Sequence, residues 1–302
     1  MVVVLKSRWL RWCVTRNCQS GPRLASRIIA PALMTMSCVT AAQSMETVWI
    51  PLPSAQSHGR APIQLEATIY RPKGPGPFPV VIFSHGSSGG PIPASYTETA
   101  KSFAAFLNER HIALVIPMRS GRGKSEGDNN EEPSRCTTQA ASSGIDNASA
   151  ALRATTEFLR TQHWAAMHAV ILAGHSRGGL LSVVYAANHP AIARGVINFA
   201  GGWKNDTCGA IDVNTPLFAQ AGQKSTVPNL FIYGHGDGFY ADSSIQAYVA
   251  AFKDSGADVD FRFYTLEGIN GHAIFHKGLP LWKRDLDAFL IKLGIIKQPA
   301  QL

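Results

Sequence analysis

The sequence predicts an α/β protein built on one mostly parallel sheet of eight strands with helices on both faces. Three observations carry that expectation. From Glu46 onward, short β-rich runs alternate with longer amphipathic stretches. The middle runs, such as Val80-Val81-Ile82-Phe83 and Val170-Ile171-Leu172-Ala173, are continuously apolar, as strands are when helices cover both of their faces. The first two runs follow one another with no helical stretch between them, so the sheet begins on strands outside the βα alternation.

Taken in order, the expected strands are Thr47–Leu52, Gln64–Tyr70, Val80–Ser84, Ala113–Pro117, Ala169–Ala173, Gly195–Phe199, Leu230–Tyr233 and Asp260–Leu266. Helical stretches fall at Tyr96–Arg110, Gly144–Thr161, Gly178–Asn188, Ser243–Ser255 and Leu281–Leu293. In the second of these, Ile145, Ala148, Leu152 and Leu159 recur at roughly helical spacing. The Pro-rich stretch from Arg71 to Pro79 reads as a turn between two strands of one sheet rather than as a domain linker. Between Gly201 and Pro228 there is room for loops and one short helix, so no large cap domain is expected and the site should be open.

The chain has 302 residues, 45% hydrophobic and 16% charged, enough to bury a substantial core and too apolar for a disordered chain. Its formal charge of +8 is concentrated at one end. Lys6, Arg8, Arg11, Arg16, Arg23 and Arg27 precede the first acid, Glu46; removing those six from the 28 basic residues leaves 22 against 20 acidic ones. The nearly neutral remainder argues against a nucleic-acid partner.

Residues 1–42 read as a leader, followed by a single domain over 43–302. Basic residues run to Arg27, a short apolar run covers Ile28–Val39, and small residues stand at Thr40-Ala41-Ala42, the pattern of a cleavable export signal. Periplasmic or secreted localisation follows, with no stable membrane span once the leader is removed. A basic tail, a mitochondrial-type presequence and lipid attachment at Cys38 are the other readings of this segment. Of five cysteines, Cys13, Cys18 and Cys38 lie in the leader; Cys136 and Cys208 remain, an even pair expected to form a disulfide in an exported protein. No Cys-x-x-Cys or His-rich spacing is present, and no metal or other cofactor is expected.

Gly-x-Ser-x-Gly occurs three times, at Gly86–Gly90, Gly123–Gly127 and Gly174–Gly178, so context must choose between them. A nucleophilic serine needs a sharp turn from a strand straight into a helix. Only the third match has apolar Ala169–Ala173 before it and Leu180–Asn188 after it. The first runs into Pro91-Ile92-Pro93 and the second into the polar stretch Asp128–Pro133. Ser176 is therefore the expected nucleophile.

A serine hydroxyl is a weak nucleophile until an imidazole removes its proton and a carboxylate holds that imidazole in the right tautomer. Asp237 is the first carboxylate after the strand Leu230–Tyr233, and Asp242 is the fallback. His272 follows the last strand in the glycine-bearing loop Glu267–His272, with His276 as its rival. The developing oxyanion needs two backbone donors: Arg177 N–H fills one position, and Ser87 N–H, in the loop after Val80–Ser84, the other. Trp203, Phe239 and Tyr240 stand just past strand ends, where they line a substrate pocket or pack against the core.

With these residues in view, the chain resembles the α/β-hydrolase superfamily, and within it the dienelactone-hydrolase-like group. The resemblance lies in Ser84-His85-Gly86-Ser87, Arg119–Gly127, Gly174–Gly179, Tyr233–Asp237 and Gly271–Phe275, which span nearly the whole predicted domain in the expected order. It implies a serine hydrolase that cleaves a small-molecule carboxylic ester through an acyl-enzyme. One departure matters, since the namesake of the group uses a cysteine nucleophile and this chain carries Ser176. An amide or peptide hydrolase on the same triad, and a catalytically silent binding protein that keeps the scaffold, are the competing expectations.

Overall fold

A computed structural model describes residues 44–53, 61–87, 93–131, 135–204 and 212–298. The expected leader over 1–42 lies outside them. The described residues all belong to one compact unit spanning Ala42–Leu302.

Eight strands form one sheet in the spatial order β1-β2-β4-β3-β5-β6-β7-β8. The first two, β1 (Ser44–Leu52) and β2 (Ile63–Arg71), pair antiparallel, and β2 also runs antiparallel to β4 (Ala113–Pro117). From there across β3 (Phe78–Ser84), β5 (Ala165–His175), β6 (Gly195–Phe199), β7 (Asn229–Gly234) and β8 (Val259–Tyr264), every pairing is parallel. This is the eight-stranded, mostly parallel sheet that the sequence predicts. The apolar middle runs occupy its centre: Val80–Phe83, Ile171–Ala173 and Leu230–Tyr233 are each 0% exposed.

The helices are α1 (Lys101–Asn108), α2 (Thr138–Arg160), α3 (Arg177–Asn188), α4 (Asn214–Lys224), α5 (Asp242–Asp254), the short α6 (Ile274–Lys277) and α7 (Leu279–Lys292). Two starts differ from expectation by more than two residues, for local reasons. The helix expected from Tyr96 begins only at Lys101, because Ala100 adopts a left-handed conformation (φ 43°) and its N–H is taken by the Glu98 carboxylate at 2.8 Å. The helix expected from Gly144 begins six residues earlier, at Thr138, where Thr137 caps it by accepting the Ala140 N–H at 3.2 Å. Ala140 and Ala141 then carry the added turn, and nothing in Ser142-Ser143-Gly144 is strong enough to stop it.

The topology brings the carboxyl ends of β3, β5, β6 and β7 to one rim, where parallel sheets of this kind place their ligand sites. Among the described residues no helix is long and apolar enough to cross a membrane, and no group of three or more metal-ligating side chains is assembled. Cys136 takes part in a disulfide; Cys208, its expected partner, lies outside the described residues.

Candidate active site

β5 ends at His175 and α3 begins at Arg177, so Ser176 alone makes the turn. Its backbone sits at φ 55°, ψ −126°, a conformation that a non-glycine residue holds only when its surroundings impose it. They do so through the main chain. Ser176 N–H donates to Phe199 O at 2.9 Å, and Ser176 O accepts from Gly179 N at 2.9 Å and from Gly202 N at 3.2 Å. The flanking glycines are required by close approach: a Cβ on Gly174 would land on Gly178 O, and one on Gly178 on Ser84 O. The second copy of the motif does not meet those constraints, and the first, Gly86–Gly90, lies partly outside the described residues. Gly123–Gly127 instead folds into a turn latched to β2, in which Ser125 Oγ accepts from Glu66 N at 2.9 Å and donates to Met118 O at 2.7 Å.

Asp237 lies in the turn after β7 and is buried, its Oδ1 accepting the Phe239 N–H at 2.7 Å and the Tyr240 N–H at 3.2 Å. Its Oδ2 lies 2.8 Å from His272 Nδ1. A carboxylate can only accept, so Nδ1 carries the proton and Nε2 is left as the basic nitrogen. His272 occupies a single 3₁₀ turn, Gly271–Ala273, whose cap is Asn270: its Oδ1 accepts from His272 N at 2.9 Å and from Gly238 N at 3.0 Å. One amide side chain thereby joins the loop of the carboxylate to the loop of the imidazole.

The imidazole loop is also tied to the serine turn. His175 Nε2 lies 2.9 Å from His272 O, a bond in which Nε2 donates, and the two rings stand 4.9 Å apart between centroids. Burial pushes the His175 imidazole well below its ordinary pKa, with the neighbouring His272 and His276 adding to the effect, so this histidine is a neutral strut. Among the described residues the Ser176 hydroxyl has no hydrogen-bond partner, an arrangement common where the nucleophile–base bond forms only with substrate in place.

The fallback residues are placed elsewhere. Asp242 is exposed and accepts from His235 Nδ1 at 2.8 Å and Gly236 N at 3.0 Å. His276 sits on α6 with its ring edge-on to His175, 5.1 Å between centroids.

Of the three expected pocket aromatics, Phe239 alone has an open face. It is 49% exposed, its ring 4.4 Å from that of His272 and 5.5 Å from Lys204 Nζ. Trp203 and Tyr240 are 1% and 4% exposed and serve as packing beneath the rim. The Arg177 guanidinium stacks over Trp203 at 5.3 Å, and Tyr240 presses against Gly202. Arg177 supplies the first amide of α3, directly after Ser176, and Ser87 lies one residue beyond Gly86, where an added Cβ would be 3.3 Å from Ser176 Cβ.

Sequence reasoning missed the groups that hold this arrangement: His175, Asn270 and a buried Arg119–Glu131 pair. Asn270 alone carries a local signal, since an asparagine two residues before a turn histidine is a capping pattern. The other two act across the fold and leave no spacing to read.

An eight-stranded, mostly parallel sheet with a strained serine turn on its rim defines an α/β-hydrolase fold. Within that class the chain belongs to the dienelactone hydrolase family, whose profile matches residues 65–280. Solved structures share the fold at low identity. Est1E from Butyrivibrio proteoclasticus is 18% identical, with 82% of this chain and 98% of that one covered at a TM-score of 0.55. The Pyrococcus furiosus esterase Pf2001 is 14% identical (83% and 90% covered, TM-score 0.59). S-formylglutathione hydrolase FrmB from Staphylococcus aureus is 13% identical (84% and 98% covered, TM-score 0.54). Among curated proteins none matches this sequence.

Proposed function

We propose that this hydrolase cleaves carboxylic esters of small molecules by serine catalysis, with Ser176 as nucleophile, His272 as general base and Asp237 as the carboxylate that orients it. The observation that carries the reading is the 2.8 Å Asp237–His272 hydrogen bond, on loops tied through His175 to the turn that carries Ser176. His272 Nε2 takes the hydroxyl proton as Ser176 Oγ attacks the ester carbonyl. The tetrahedral oxyanion is met by Arg177 N–H and Ser87 N–H. Collapse breaks the C–O bond to the alcohol, which leaves with the proton from His272, and an acyl group remains on Ser176. Water, deprotonated by the same imidazole, adds to the acyl carbonyl; the second collapse returns the proton to Ser176 Oγ and frees the acid.

The test is turnover of a panel of nitrophenyl esters by the wild type and Ser176→Ala, beside a matched nitroanilide. The ester should be hydrolysed, and Ser176→Ala should lose about 10⁴-fold or more in kcat. An active Ser176→Ala variant overturns the serine mechanism, and preferred cleavage of the anilide replaces the ester by an amide.

Export completes the proposal, resting on the basic-then-apolar leader and on the disulfide at Cys136. Mass spectrometry of the protein recovered after expression with its leader should show a new amino terminus near Ala41 or Ala42 and a 136–208 cross-linked peptide. A full-length cytoplasmic product with free thiols would overturn both.

A further inference from the structure

Arg177 N–H is fixed by the start of α3, but Ser87 N–H sits in a loop, and a catalytic donor in a loop needs something to aim it. After β3 the carbonyls of His85 and Gly86 both face one buried side chain: Arg119 Nη1 donates to His85 O at 2.6 Å, and Nη2 to Gly86 O at 3.2 Å. The other edge of the guanidinium is forked onto Glu131, Nε to Oε1 at 2.5 Å and Nη2 to Oε2 at 3.1 Å, with both side chains 3% exposed. Arg119 N–H also donates to His85 Nε2 at 3.1 Å. That nitrogen is therefore an acceptor, the ring proton lies on Nδ1, and Nδ1 donates it to Gly86 O at 2.6 Å.

The Gly86 carbonyl is thus held by two donors, His85 Nδ1 and Arg119 Nη2. The peptide that follows is trans, and in a trans peptide the C=O and the next N–H point in opposite directions. The Ser87 N–H must project away from Arg119. Among the described residues nothing accepts it, although the residue before it lies against Ser176.

We propose that the buried Arg119–Glu131 pair, acting with His85, is a positioning device for the oxyanion hole that turns the 86–87 peptide so that Ser87 N–H faces the oxygen of an acyl group on Ser176. The proposal rests on the serine hydrolase reading and adds to it three residues that touch no substrate. Glu131 supplies the charge and the two acceptors that let a guanidinium stay buried in one orientation.

Breaking one half of a buried pair can unfold a protein; replacing both halves avoids an uncompensated partner within the pair but also takes the Glu131 carboxylate away from the buried Arg122, 3.9 Å from it, so the melting curve decides which variants are read. The experiment therefore uses Arg119→Lys and the double variant Arg119→Met/Glu131→Leu, with thermal melting, kcat and KM on nitrophenyl acetate, and inhibition by a trifluoromethyl ketone. Folded variants should lose about 10²-fold in kcat, the worth of one oxyanion donor, with KM nearly unchanged. Affinity for the ketone, which forms a tetrahedral oxyanion on Ser176, should fall by the same factor, a parallel that a merely structural role would not produce. A folded double variant with wild-type kcat, or a loss confined to KM, overturns the proposal. Should neither variant fold, a crystal structure of the wild type carrying a boronic acid on Ser176 decides: Ser87 N within about 3 Å of the boronate oxygen upholds the proposal, and Ser87 N turned away ends it. Activity in Ser176→Ala would sink the underlying hydrolase reading; an inactive Ser176→Ala beside a fully active double variant would sink the positioning role alone.

Discussion

Asp237→Asn is the sharpest test of the Asp237–His272 bond, because the surroundings dictate how the new amide must sit. Oδ1 accepts two backbone N–H groups, from Phe239 and Tyr240, while Oδ2 faces a single ring nitrogen. An asparagine has one acceptor oxygen to distribute. Placed at the Oδ1 position, it keeps both backbone bonds and turns its NH₂ toward His272. The flipped orientation would set NH₂ against two N–H donors in a buried site, and each unsatisfied buried group costs about 1–3 kcal/mol. The first orientation wins, and its NH₂ drives the imidazole into the tautomer with the proton on Nε2. That nitrogen can no longer take the Ser176 proton. The loss seen where a triad is forced into the wrong tautomer is about 10⁴ in kcat, roughly 5.4 kcal/mol of transition-state stabilisation. Steady-state hydrolysis of nitrophenyl acetate measures it, with a melting curve to show that the variant is folded. Asp242→Asn is the matched control, since Asp242 is exposed and bonded to His235, and its kcat should stay within about threefold of wild type. Near-wild-type turnover by Asp237→Asn, or an equal loss in Asp242→Asn, would refute the assignment of the carboxylate.

Three further outcomes follow from the same geometry. Gly178→Ala drives a methyl into Ser84 O, so the melting temperature should drop by an amount corresponding to about 1–3 kcal/mol or more, with loss of the serine turn; a stable, active Gly178→Ala would show that the turn tolerates a wider approach. Removing the exposed ring beside His272 with Phe239→Ala should raise KM for aryl esters several-fold and leave kcat for acetyl esters nearly unchanged, and parallel kinetics on the two substrate types separate the effects. Acid should destabilise the fold in two stages. Burial, reinforced by the Arg119 charge, holds the His85 imidazole at about 3 against an ordinary 6.5. For Glu131, burial works upward and the Arg119 charge and hydrogen bond outweigh it, leaving the carboxyl at about 2 against 4.5. Both folded-state values are depressed, so the unfolded chain binds protons first and stability falls with pH, from 6.5 toward 3 for His85 and from 4.5 toward 2 for Glu131. Melting temperatures measured across that range should decline, and His85→Gln should reduce, without abolishing, the upper part of the slope, to which the buried His175 and His276, also held below their ordinary values, contribute in the same direction; a slope unchanged in that variant would exclude His85 as a source.

How much of this was legible beforehand depended on whether the cause was local. The central strands could be read because helices on both faces leave continuous apolar runs, and Ser176 because a strand, a glycine-flanked serine and a helix are contiguous in sequence. That Asp237 and His272 would meet could be anticipated because each follows the end of a strand. The start of α1 could not: it is set by Glu98 reaching two residues on to Ala100 N–H, a competition between side chain and helix that periodicity does not register. Arg119 stands in a motif and Glu131 in a polar stretch with no spacing that pairs them, and only the fold shows that both are buried and joined. Trp203 and Tyr240 stood at the correct strand ends, but position along the chain does not say which way an aromatic ring turns.

The groups that were illegible share a function, and it bears on how the site tolerates change. His175 holds His272 by its backbone carbonyl, Asn270 holds His272 and Gly238 by their amides, and Arg119 holds His85 and Gly86 by their carbonyls. Each grips main chain, so none needs the catalytic side chains for its own satisfaction. The strained Ser176 backbone is likewise fixed by Phe199 O, Gly179 N and Gly202 N rather than by its hydroxyl. Removing the Ser176 hydroxyl or the His272 imidazole should therefore leave the scaffold standing, whereas removing a main-chain anchor, the Oδ1 of Asp237 included, should disturb a loop whose other groups are intact. Positioning and chemistry are carried by different atoms, so a variant that loses turnover without stability and one that loses both report on separable parts of the same rim.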